Sequence, residues 1–184
     1  MEAYDVTVKL TLAGCRKLVN RHRADFNQKE EHGMSEVANI VDQLKRVHEG
    51  DAWHGPALRE LLADVKSPVA NSRSIPGAHT IHELLLHLAA WNDVFLSRLE
   101  GQRSEEPVEG DFPPADVANS GGWEKAIVTM QSSHDRLVRK ISTLSDSTLD
   151  QIVIGKDYSV RFMLYGIIRH YVYHSGQIGL LKKT

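Results

Sequence analysis

Four stretches of this chain repeat their apolar residues at steps of three and four, the period of a helix with one buried face. The first runs from about Ser35 to Glu49: Val37, Ile40 or Val41, Leu44 and Val47 form one stripe, and Ser35 suits the N-cap. The second runs from about His79 or Thr80 to Glu100, with Thr80, Leu84, His87, Trp91, Val94 and Arg98 stepping 4, 3, 4, 3, 4. The third spans about Gly122 to Leu144, with Ile127, Met130, His134, Leu137, Ile141 and Leu144 on one face. The fourth, about Val160 to Lys182, has no proline, and Met163, Ile167, Ile178 and Leu181 share its stripe with His170 and His174. The pattern predicts an all-α domain built as a four-helix bundle.

The segments between these stripes constrain the order of the helices. Trp53-His54-Gly55-Pro56 makes a bend, with Pro56 suited to the first turn of a short helical piece from Ala57 to Val65. Residues 66–78, with Pro68, Pro76 and Gly77, read as a connection. Residues 101–120 are rich in proline, glycine and acid. Antiparallel neighbours need only about 2–8 residues between them, so a linker this long favours a crossover bundle with helices two and three parallel. Within 145–159, Ile152-Val153-Ile154 and Tyr158-Ser159-Val160 flank Gly155-Lys156-Asp157 and read as a small hairpin.

Residues 1–33 lack a sustained period; a strand at Val6–Leu12 or a helix around Cys15–His22 fits them. The clean pattern begins at Met34, so the expected division is a bundle domain, 34–184, preceded by residues 1–33 as an accessory extension or a misassigned upstream segment. Composition narrows the class further. With 41% hydrophobic and 25% charged residues and a net charge of -2, the chain has ordinary globular composition and no concentrated basic face for nucleic acid. The single cysteine, Cys15, excludes an intrachain disulfide and fits a reducing compartment. No apolar run reaches membrane-spanning length and no signal-peptide pattern opens the chain, so the expectation is a cytoplasmic protein without membrane association.

The chemistry lies in histidines on the buried stripes. His170 and His174 stand one helical turn apart, about 5–6 Å at Cβ, a spacing that lets two imidazoles hold one ion. His87 sits at the centre of the second stripe, whereas His82 and His79 project about 140° and 80° away from it. His87, His170 and His174 would together hold one divalent cation inside the bundle with a coordination position left open, the pattern of a catalytic site. Imidazole donors suit Zn, Ni, Fe or Cu. Glu83, one turn before His87, is a candidate general base or a first-turn acid that favours the positive helix end. Gln177 can reach a neighbouring imidazole or a bound water. Trp53 and Trp91 are candidates to line a pocket. Arg98 would meet an anionic substrate or pair with an acid, and His134 would be a further ligand, a partner behind the ligands or a core residue.

Trp53-His54-Gly55-Pro56, the run from Ile75-Pro76-Gly77 through Ile81-His82-Glu83-Leu84 to His87, Ala90-Trp91, and above all His170-x-x-x-His174-x-Gly176-Gln177-Ile178 resemble the DinB/YfiT-like superfamily. The resemblance covers Met34 to the C-terminus. It implies an up-down-down-up bundle, frequent homodimers, and one bound divalent metal on His87, His170 and His174, Zn or Ni foremost, with Fe or Mn as alternatives. It also implies a small-molecule substrate and, for some relatives, transfer of a low-molecular-weight thiol to an electrophile in detoxification or stress. A metal-dependent hydrolase using metal-bound hydroxide, and a non-catalytic metal-binding stress or interaction protein, are the other expectations. His82 stands where members of this branch commonly carry an aromatic, which puts the local packing in question.

Overall fold

The computed structural model describes residues 34–119 and 121–183. The expectations for residues 1–33, including the strand, the helix and the extension, lie outside the described residues. The described helices fall in one compact unit, Glu36–Thr184. In chain order they are α1 (Glu36–Glu49), α2 (Leu58–Leu62), α3 (Ser67–Ala70), α4 (Ile81–Leu99), α5 (Gly122–Ser142), a 3-10 turn (Asp146–Asp150) and α6 (Val160–Leu181). The fold is all-α, and the only strand-like pairing among the described residues is a single antiparallel bridge, Ile152 to Ser159. Of the hairpin expected at 152–160, only this bridge and its turn form.

Four long helices enclose one core. α1 packs on α5 and α6, and α4 packs on the same two, most extensively on α5. The centre holds Ile40, Leu44, Leu85, Leu88, Leu137 and Ile141. Three of the long helices, α1, α4 and α6, start where side chains satisfy their first amides. Thr80 and Glu83 form a reciprocal capping box on α4: Thr80 Oγ1 accepts from Glu83 N at 3.1 Å, and Glu83 Oε2 accepts from Thr80 N at 2.8 Å. Ser159 Oγ accepts from Phe162 N at 3.2 Å and caps α6. The first amides of α1 are met from a distance, Glu36 N and Val37 N donating to the Asp146 carboxylate at 3.1 and 2.9 Å.

Packing changes the predicted stripes in two places. Ile127 is largely exposed, and the buried face of α5 begins instead at Trp123 and Ala126. On α4, Ile81, Leu85, Leu88 and Asn92 are buried beside the expected stripe, because a helix touching two neighbours needs a wider apolar arc. Pro56 lies just before Ala57, the N-cap of α2, rather than in its first turn. Glycine is required at position 122, where a Cβ would collide with the Asp116 carbonyl oxygen.

Candidate metal centre

α4 and α6 carry the three expected ligands to one point. His87 comes from the middle of α4; His170 and His174 come from successive turns of α6. One ring nitrogen from each lies within 4.8 Å of the others, and His87 Nε2 is 2.9 Å from His170 Nε2. A tetrahedral ion with Zn–N bonds of 2.0–2.1 Å would space its nitrogens about 3.3 Å apart. The observed 2.9 Å is a little shorter than that value, and every pair of the three lies within 4.8 Å.

The outer nitrogens are fixed so that the inner ones face the shared point. His87 Nδ1 is 2.6 Å from the Asp111 carbonyl oxygen, which can only accept. The proton therefore sits on Nδ1, and Nε2 keeps its lone pair. His174 Nδ1 donates in the same way to Gln177 Oε1 at 2.6 Å. Such partners set the tautomer and orientation of metal-binding rings. Burial pushes all three imidazoles below their ordinary pKa, and His170, beside His174 and His87, falls to about 3. The rings are neutral at neutral pH, the form that binds metal. The donor set, the neutral charge state and the tautomers of His87 and His174 fit a divalent ion.

The cluster opens on a cavity of about 520 Å³ whose wall is largely aromatic. Trp91 lines it, and its Nε1 donates to Asp111 Oδ1 at 2.7 Å. Phe112 stacks between His79 and His87, at ring distances of 3.6 and 4.2 Å. Asp111 and Phe112 thus bring the α4–α5 linker onto the site.

The other residues singled out from sequence are placed elsewhere. Trp53 is fully exposed and outside the cavity wall. Glu83 caps α4 and accepts from Arg73 Nη2 at 2.6 Å. Partial burial opposes its ionisation, but the Thr80 amide and Arg73 outweigh it and hold the carboxyl below its usual range. Arg98 is 7% exposed and outside the cavity wall, donating to the carbonyls of Ser104 and Glu105 and to Tyr158 Oη. His134 is fully buried in a separate polar group, its ring stacked on His48 at 3.8 Å and its Nδ1 3.2 Å from Tyr171 Oη. His82 is 1% exposed, bonded to the Asn71 side chain at 2.8 Å and set edge-on to Trp123.

The family model described as the DinB superfamily matches residues 52–178, which hold all three ligands. The chain belongs to the DinB superfamily. Searches of curated proteins and of solved structures find no match. For this DinB-superfamily chain the converging histidines fit a bound divalent metal, and no helix among the described residues is long and apolar enough to cross a membrane. Gln177 acts on the ion only through His174. Gln177→Leu is therefore expected to weaken metal binding by roughly 10–100-fold, read by competition with a chromophoric chelator, with the fold unchanged.

Proposed function

We propose that this DinB-superfamily chain is a metal-dependent enzyme that transfers a low-molecular-weight thiol to an electrophile. The observation that carries this reading is that, among the described residues, the carboxylates near the three imidazoles, Asp111 and Glu83, already accept hydrogen bonds. Asp111, the acid on the cavity wall, is engaged by Trp91 and lies 3.3 Å from His87 Nδ1. Glu83 is engaged by its capping box and Arg73. A divalent ion held by His87, His170 and His174 would acidify a bound water or a bound thiol, and the thiol, already the stronger acid, needs the least further help from a base. Zn or Ni is the proposed ion.

The protein's own part is to orient. Asp111 and Gln177 hold two ligand rings in the metal-binding tautomer. The aromatic wall offers the reactants an apolar surface beside the histidines. A second cavity of about 440 Å³ shares Phe112, Tyr173 and His174 with the first, which gives two reactants room around one ligand. We also propose the up-down-down-up helix order, supported by the long linker between the adjacent helices α4 and α5, and a homodimeric assembly, testable by light scattering.

The test is incubation of metal-loaded protein with a panel of small thiols and 1-chloro-2,4-dinitrobenzene. A C–S bond forms, the C–Cl bond breaks, chloride leaves, and the thiol proton passes to solvent. Thioether formation above the uncatalysed rate, lost on chelation and in His174→Ala, is the expected result. Turnover of an ester and amide panel without thioether would replace this reading with a hydrolase. No turnover, with a large loss of thermal stability on chelation, would leave a non-catalytic metal protein.

A further inference from the structure

The wall of the metal cavity says what kind of molecule it takes. Six of its residues are aromatic: Trp91, Phe95, Phe112, Tyr158, Phe162 and Tyr173. Flat apolar groups placed there gain from packing on the rings. About 520 Å³ suits a ligand of small-molecule size.

One polar atom on this wall stands out. Tyr158 is held in the turn before α6, where Val153 N donates to the Tyr158 carbonyl at 3.0 Å, and its ring packs on Phe162 at 5.5 Å. Its hydroxyl oxygen accepts from Arg98 Nη1 at 3.1 Å. That guanidinium is itself fixed: Nε donates to the Ser104 carbonyl at 2.8 Å and Nη2 to the Glu105 carbonyl at 2.7 Å. It lies over the Trp91 and Phe95 rings, 5.8 and 5.7 Å from their centroids. A guanidinium donates and never accepts. The Tyr158 O–H must therefore turn its proton away from Arg98, and with Tyr158 half-buried on the cavity wall that proton is left to solvent or to a bound molecule.

We propose that the cavity binds a molecule with a flat apolar body and a hydrogen-bond acceptor, and that Tyr158 donates its O–H to that acceptor. Arg98 is the positioning residue: it occupies the phenol oxygen from behind and leaves the proton for the ligand. The inference rests on the reading of this cavity as the substrate site, but not on the reaction performed there.

The test uses the full chain as purified, with equal metal content in each variant, and two probes of similar shape. Acetophenone carries a carbonyl acceptor; ethylbenzene carries none. Binding is followed by calorimetry, and the carbonyl of ¹³C-labelled acetophenone by infrared spectroscopy. Tyr158→Phe is expected to weaken acetophenone binding roughly tenfold, leave ethylbenzene unchanged, and remove a low-frequency shift of the bound carbonyl. Equal weakening of both probes would reduce Tyr158 to a packing residue and overturn the assignment. So would an unchanged carbonyl band, or failure of both probes to bind the wild-type chain. Because binding is read without turnover, a chain that binds acetophenone but transfers no thiol would sink the transferase reading and leave this one standing.

Discussion

Substituting His174 with alanine is expected to take bound metal from a single ion per chain to a trace, measured by elemental analysis after dialysis. The substitution removes one of the three candidate donors found among the described residues. The loss should therefore exceed the roughly 10–100-fold that follows removal of an outer partner. It should be visible in stability as well. An ion at about 1,000 times its dissociation constant stabilises the folded chain by about 4 kcal/mol, which for a domain of this size is on the order of 10 °C in melting temperature. The wild-type chain should lose that increment on chelation, while His174→Ala should melt at one temperature with or without chelator. His82→Ala supplies the contrast. His82 is buried and polar too, but it bonds Asn71 and packs on Trp123, so its loss should cost stability and leave metal content alone. Equal metal in wild type and His174→Ala would remove the metal centre from consideration.

The ligand positions were readable because they follow helical period. His170 and His174 share a face by spacing alone, and His87 occupies an apolar stripe. Glu83 was read as a general base or a first-turn acid, and the capping box it forms with Thr80 explains why it is occupied. Asp111 and Phe112 were not readable. They lie in a proline-rich linker without period, and Asp111 meets His87 through a backbone carbonyl that every residue type carries. Tyr158 was assigned to a hairpin, and nothing local shows that Arg98, sixty positions earlier, reaches it. The pocket role expected of Trp53 rested on its position at a bend, where a tryptophan points to solvent as readily as to a cavity. His134 followed the period correctly into the core, but its neighbours His48 and Tyr171 come from α1 and α6. Long-range partners of this kind leave no mark in spacing.

That buried group leads to the second large effect, acid unfolding driven by neutral histidines in the core. Burial lowers His48 to about 4 and His134, also disfavoured by the nearby His48, to about 3. Each titrates near 6.5 in the unfolded chain. Between these limits the unfolded state binds more protons than the folded state. The stabilising contribution is therefore fully present above about pH 6.5 and is lost as pH falls towards the folded values. For His48 alone the loss is on the order of 3 kcal/mol by pH 4, a large share of a typical domain's stability. The measurement is urea unfolding at a series of pH values with chelator present throughout, so that metal release does not enter. Each buried histidine adds up to one proton to the uptake on unfolding, a slope of about 1.4 kcal/mol per pH unit. His134→Gln keeps an acceptor for the Tyr171 hydroxyl but cannot titrate, so it should reduce the uptake between pH 4.5 and 5.5 by about one proton. Adding His48→Gln should reduce it by about one more. An unchanged slope in both variants would show that the pair is not held neutral in the folded chain, and the acid sensitivity would then belong to other groups.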